Sequence, residues 1–170
     1  MSASSRLIIR QATRDDDEQL IDLQHSLNLA EHAAYPRNTA IPRLLDVSRD
    51  AAVSGVAHNW AYIGTHGGAY LVGELDGVIV CCGCWYSETA AVSTLPEFQR
   101  QAGVGAIVVA EAARGQGLGR IMMTELEKCI AAEGINHVRL TVVPGNKPAE
   151  ALYHSLGFEN FEMVMIKTLA

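Results

Sequence analysis

Apolar residues in this chain recur in two rhythms, and the switches between them mark out its elements. Leu7-Ile8-Ile9-Arg10 reads as a short strand. Thr13 follows as a helix N-cap, with Asp15, Asp16 and Asp17 in the first turn, where the helix dipole favours acids. Leu20, Ile21, Leu23 and Leu27 keep roughly helical spacing to about Leu29, with Gln24 as a polar break, so one face of this helix is buried. Between Asn28 and Trp60 the pattern weakens. Pro36 and Pro42 punctuate it, and a second helix is predicted from about Ile41 to Ala52.

Residues 69–75 and 78–86 are apolar runs joined by Asp76-Gly77, the strongest short hairpin signal. Neither run alternates cleanly between apolar and polar, so both faces are covered and the pair lies inside a sheet with helices on either side. Residues 87–103, with Pro96, read as a loop, and residues 104–110 as a further continuous apolar strand. Leu118, Ile121, Met122, Leu126, Cys129 and Ile130 recur at helical spacing up to Gly134, which suits the left-handed position after a helix end, with Ile135 as its apolar contact. Residues 137–143 form the next strand. Pro148 opens a helix with Ala149, Leu152 and Leu156 as its buried stripe, Gly157 ends it, and residues 158–169 supply the last strand. This order predicts an α/β sandwich, a mixed sheet with an antiparallel hairpin and a later parallel crossover.

Composition adds limits. A chain of 170 residues suits one domain spanning residues 1–170, and 49% hydrophobic with 19% charged residues is a globular balance. The formal charge of -6 argues against nucleic acid or an anionic membrane as partner and mildly favours cationic ones. Cys81, Cys82, Cys84 and Cys129 form no CxxC pair and read as small buried hydrophobes in a reducing cytoplasm. The first ten residues hold no long apolar stretch, so no signal peptide is expected. Residues 51–73 carry no formal charge, but His58, Asn59, Thr65, His66 and repeated glycines make them too polar to span a bilayer. No histidine pair has H-E-x-x-H spacing, and no metal is assigned.

The chemistry concentrates where the strand at 104–110 passes into the following helix. Gly115, Gly117 and Gly119 free the backbone to turn successive N–H groups toward one point, and the helix adds its own unpaired N–H groups and positive dipole end. That joint suits a diphosphate, with Arg114 at the mouth of the loop and Arg120 in the first helical turn. A Walker loop is excluded, because Gly119 is followed by Arg120 and Ile121 instead of Lys and Ser or Thr. The dinucleotide fingerprint fits poorly, since its third glycine position is Arg120.

Arg114-Gly115-Gln116-Gly117-Leu118-Gly119 resembles the acetyl-CoA loop of the GNAT superfamily of N-acetyltransferases, and Asn146-Lys147-Pro148-Ala149-Glu150-Ala151-Leu152-Tyr153, ending in Gly157-Phe158, resembles its second signature. The two stand in the expected order, a helix and a strand apart. The resemblance implies a mixed, mostly antiparallel sheet with helices on both faces and splayed central strands, and acetyl-CoA as co-substrate. It implies that the backbone of Ile107, Val108 and Val109 pairs with the pantetheine arm as an added strand, that residues 114–120 hold the diphosphate, and that Asn146 bonds the cofactor. Asn146 is equally suited to a turn or cap. Tyr153 is implied as general acid to the departing sulfur, because a phenol with a reference pKa of about 10 stays protonated at neutral pH.

The chain departs from the family at Glu111, where many members have Pro, and at Thr141, where some carry a catalytic Glu. The general base is therefore open between Glu111, Glu88 and a water relay. The reaction implied is direct acetyl transfer to a primary amine of a small molecule or peptide. A non-catalytic acyl-CoA-binding or sensing domain is the alternative. The acceptor pocket falls to the least patterned segments, 28–63 and 87–103, where Glu31, His32, Tyr35, Arg37 and Trp60 could hold a polar group but read individually as surface or packing residues. A homodimer has only the frequency of two-fold dimers behind it.

Overall fold

Among the described residues five strands form one sheet in the order β1-β2-β3-β4-β5, antiparallel throughout except for the parallel β4–β5 pair. The structure is a computed structural model and describes residues 7–35, 45–90 and 95–167. The elements run β1 (Ile8–Gln11), α1 (Asp17–Ala34), α2 (Arg49–His66), β2 (Gly68–Leu75), β3 (Val78–Thr89), α3 (Pro96–Gln99), β4 (Arg100–Val109), α4 (Leu118–Ala132), β5 (Val138–Leu140) and α5 (Lys147–Ser155). The mixed, mostly antiparallel sheet predicted from the sequence is the one found.

Alternation along the strands sorts side chains into two cores. Tyr70, Val72, Cys82, Cys84, Ala106 and Val108 face α1 and α2, where Leu20, Leu23, Ala52 and Val56 cover them. Ala69, Leu71, Cys81 and Trp85 face the other way, under Leu118, Met122, Met123, Leu126 and Ile130 of α4. Two covered faces explain the nearly unbroken apolar runs. They also bury Cys81, Cys82 and Cys84, and burial pushes their thiols up, to about 11 for Cys81 and about 12 for Cys84, so they stay protonated and inert. Asp76 and Gly77 both have positive φ, 50° and 82°, as a two-residue hairpin turn matched to the strand twist requires.

Four expectations need correction. The first helix continues past Leu29 to Ala34. The second does not lie at 41–52: Ser48 caps it by accepting from the Ala51 N–H at 3.1 Å, and it runs on to His66, while residues 41–44 fall outside the described residues. Its buried positions are Ala52, Val56 and Asn59, one small and one polar, so its period is faint in the sequence. The segment 87–103 is largely strand, because Ser87, Glu88 and Thr89 pair with Ala102, Gln101 and Arg100 where the apolar pattern has already stopped. Residues 158–167 join no strand; Phe161, Met163, Val164, Met165 and Ile166 are exposed there, and β5 itself is limited to Val138–Leu140.

The entry into α1 is fixed by an ion pair. Arg10 of β1 donates through Nη1 and Nη2 to the two carboxylate oxygens of Asp16, each at 2.8 Å, and through Nε to Glu74 of β2 at 3.2 Å. Asp16 also accepts from the Thr13 N–H at 2.8 Å, closing a capping box. The Arg10 guanidinium holds the buried Asp16 carboxyl down at about 2. Replacing Asp16 by Ala removes both carboxylate bonds to Arg10, which keeps only Glu74 as its ion-pair partner, and leaves the Thr13 N–H unpaired; it is expected to cost about 2–3 kcal/mol at neutral pH, read by urea denaturation. Because the folded-state value is depressed, the gap between wild type and Asp16→Ala is full above pH ~4 and closes as pH falls toward 2; a gap independent of pH would contradict the pairing.

Candidate active site

The sheet comes apart at β4. Cys84 of β3 faces Ala106 and Trp85 faces Val104, so Gly105 is an extra residue bulged out of the ladder. On its other side β4 pairs with β5 only at Ala102, Gly103 and Val104, opposite Val138, Arg139 and Leu140. Past the bulge the two strands diverge, and a cavity of about 200 Å³ opens between them. Gln24, Leu27 and Glu31 of α1 wall it on one side, at the i, i+3, i+7 spacing of a single helix face. Ala149 and Tyr153 of α5, four residues apart, wall it on another.

The bared edge of β4 has a definite polarity. The Ala110 N–H donates to Val80 of β3 at 2.8 Å, and strand alternation then turns the Ala106 and Val108 N–H groups toward β3 and those of Ile107 and Val109 toward the gap. Of the three residues whose backbone was expected to pair with the pantetheine arm, Ile107 and Val109 turn their N–H groups to the gap. Val108 is committed to Cys82 and sends its side chain into the α1–α2 core.

At the C-terminal end of β4 a short turn leads into the glycine loop. Gly115 and Gly117 have φ of 78° and 77°, and a Cβ at either would meet nothing within 4 Å, so backbone sign, and not crowding, calls for glycine. The first bond into the body of α4 runs from Ile121 N–H to Gly117 O, which leaves the N–H groups of Leu118, Gly119 and Arg120 at the open, positive end of the helix. Leu118 anchors this end in the core, Gln116 is exposed, and Gly119 lies against Leu152 of α5. Arg114 donates from Nε to Val109 O at 3.2 Å. Arg120 is held away from the loop, donating to Ser155 Oγ at 2.6 Å in the last turn of α5, where a helix C-terminus favours a cation.

Asn146 both lines the cavity and caps α5, its Oδ1 accepting from the Ala149 N–H at 3.3 Å. Gly145 beside it has φ 99°, and a Cβ there would lie 2.5 Å from the carbonyl oxygen of Ala34, so this loop rests on the C-terminal end of α1. Tyr153 is half-buried, its ring 5.8 Å from that of Phe158. Burial raises its phenol, and the charge of Glu31 raises it further, so the hydroxyl keeps its proton.

The expected bases lie elsewhere. Glu111 is exposed in the turn after β4 and borders a separate hollow with Gln19, Asp22 and Ser26 of α1. Glu88 faces Arg139 at 3.9 Å on the paired part of the sheet. Trp60 is a packing residue, with its Nε1 donating to Asp17 at 2.8 Å and its ring 5.2 Å from Tyr70, while Arg37 lies outside the described residues. Glu31 is the carboxylate in the cavity, and the spacing from Gln24 and Leu27, carried past Leu29, is the signal that points to it. Among the described residues no His, Cys, Asp and Glu cluster is arranged to hold a metal ion, and no helix is long and apolar enough to cross a membrane.

Residues 27–158 match the model of the acetyltransferase (GNAT) family, and the chain belongs to that family. Among solved structures it is similar to a tetramutant of the BH1408 protein from Bacillus halodurans, at 21% identity over 95% of this chain and 99% of that one, with a TM-score of 0.77. It is similar to the aminoglycoside N-acetyltransferase AAC(6')-Iy in complex with CoA, at 16% identity over 99% and 98% of the two chains and a TM-score of 0.71. It also resembles a predicted acetyltransferase with acetyl-CoA from Clostridium acetobutylicum, at 15% identity over 96% of each chain and a TM-score of 0.65. At these identities the likeness is one of fold. A search of curated proteins brought no match.

The seating of the Gly145 loop on α1 can be tested directly. Gly145→Ala combines a left-handed φ with a contact at Ala34 and is expected to cost about 2 kcal/mol, lowering the thermal midpoint by about 4–8 °C. An unchanged midpoint would show that the loop and α1 are not in contact.

Proposed function

We propose that this chain transfers an acetyl group from acetyl-CoA directly to a primary amine. The observation that carries this reading is the bulge at Gly105, which leaves β4 an unpaired edge running from the glycine loop to Tyr153. A pantetheine arm carries amide groups that can pair with the Ile107 and Val109 N–H groups as an added strand would, and a diphosphate suits the N–H groups of residues 115–120. The thioester then lies at the cavity end of the gap, where Asn146 and Tyr153 stand. The structure of AAC(6')-Iy with the bisubstrate analog CoA-S-monomethyl-acetylneamine joins CoA and an amine in one ligand and supports a single shared cleft.

Within that cleft the nitrogen attacks the thioester carbonyl carbon, the C–N bond forms, and the C–S bond breaks. Tyr153 supplies a proton to the departing sulfur, a task its raised phenol fits because it remains protonated until needed. No covalent intermediate on the protein is required, since holding amine and thioester together supplies much of the rate. The buried, protonated cysteines of β3 take no part.

Tyr153→Phe keeps the ring against Phe158 and removes only the hydroxyl. Turnover, followed as thiol release with a panel of primary amines, is expected to fall about 10²-fold while the acetyl-CoA dissociation constant by calorimetry holds. Unchanged turnover would remove Tyr153 from the chemistry. Acetyl-CoA binding without thiol release from any amine would favour a binding or sensing domain.

A further inference from the structure

Among the described residues that line the cavity between β4 and β5, two carry an ionisable side chain, Tyr153 from α5 and Glu31 from α1. The β4 and β5 walls add only Val, Gly, Ala, Ile, Leu and Thr side chains, none of which titrates, and α5 adds Ala149 beside Tyr153. Glu31 is half-buried at the last turns of α1, and among the described residues no hydrogen bond or ion pair engages its carboxylate. Burial lifts its carboxyl above the ordinary range, and its charge is felt by the phenol of Tyr153. A carboxylate drawn out of water without a partner is costly unless a cation completes it.

We infer that Glu31 is the acceptor site of this cleft: its carboxylate holds the protonated primary amine beside Tyr153 and takes the proton that must leave before the nitrogen can attack. This rests on the acetyl-transfer reading above and adds to it a named base and a substrate class, cationic primary amines. Proton accounting supports the pairing of the two residues. An ammonium group must lose two protons to become an amide nitrogen with one hydrogen. The first goes to a Glu31 oxygen and on to solvent, freeing the lone pair that forms the C–N bond. The second leaves the nitrogen after attack and replaces the proton that the Tyr153 hydroxyl gives to sulfur as the C–S bond breaks. The products are the amide, the CoA thiol and one proton in solution. A carboxyl raised by burial is also closer to an amine with a reference pKa of about 10, which makes the first transfer less uphill.

The alternatives on the same chain fail on position. Glu111 belongs to the hollow between α1 and the start of β3, and Glu88 has Arg139 as its neighbour. Gln24, two wall positions away on α1, already donates to Asn28 at 2.9 Å and carries no charge. The net charge of -6 is in keeping with a cationic acceptor.

Glu31→Gln keeps size and removes charge, and Glu31→Asp keeps charge at a shorter reach. With spermidine, an aminoglycoside and a lysine peptide as acceptors, kcat/KM at pH 7 is expected to fall about 10²–10⁴-fold in Glu31→Gln, with acetyl-CoA affinity unchanged and partial recovery in Glu31→Asp. The deficit should shrink toward pH 10, where about half of an acceptor with that reference pKa is already neutral and needs no base. Equal activity of wild type and Glu31→Gln, or a deficit of the same size at every pH, would overturn the assignment. A second arm separates it from the transferase reading. Calorimetry of spermidine into the CoA-saturated chain is expected to show binding at least about tenfold weaker in Glu31→Gln. Wild-type binding lost in the variant without thiol release would leave Glu31 as an ammonium site and sink only the transferase; no wild-type binding, or equal binding in both, would sink the Glu31 assignment even if acetyl-CoA binds.

Discussion

Everything about this site follows from a few backbone hydrogen bonds that the sheet does not make. A buried N–H without a partner is unfavourable, and strands normally avoid it by staying paired. Here the bulge at Gly105 shifts β4 against β3, pairing with β5 stops at Leu140, and the N–H groups of Ile107 and Val109 are left facing a gap. Ile107 and Val109 are only half-buried there, so their N–H groups are not sealed from water. A ligand with its own amides can then satisfy that edge.

The same parting lets two layers of the sandwich meet. Elsewhere the sheet separates α1 and α2 from α4, with one core on each side. Between β4 and β5 no strand intervenes, so α1 and α5 face a common cavity, and the charge of Glu31 acts on Tyr153. The Gly145 loop, resting on Ala34, and Arg120, tied to Ser155, hold α5 against α1 at one end and against α4 at the other. The cleft is thus shaped by three helices and two strands that sequence order keeps far apart.

What was legible in the sequence was whatever rests on local rules. The Asp76-Gly77 turn, the Thr13 cap, the left-handed Gly134 and the glycine loop each have a residue type that only one local geometry accommodates well. Where the signal is spread over small or polar positions it fades, as in α2 with its Ala52 and Asn59, or in the Ser87–Thr89 end of β3. The site divided in the same way. Tyr153 and Asn146 lie within one recognisable segment, and both line the cavity. Glu31 lies in the weakly patterned end of α1, where the sequence names it beside His32, Tyr35, Arg37 and Trp60, and it stands apart from them once β4, β5 and α5 are in place around it. Glu111 shows the converse: a carboxylate next to the signature in sequence but turned onto another hollow in space.

Amide hydrogen exchange at β4 tests the unpaired edge most directly. In the free chain the Ile107 and Val109 amides should exchange well ahead of Ala106 and Val108, which bond to β3, and saturating CoA should slow them about tenfold or more. If all four amides are equally protected without ligand, or if CoA leaves Ile107 and Val109 unchanged, β4 has no free edge and the cleft does not work as described.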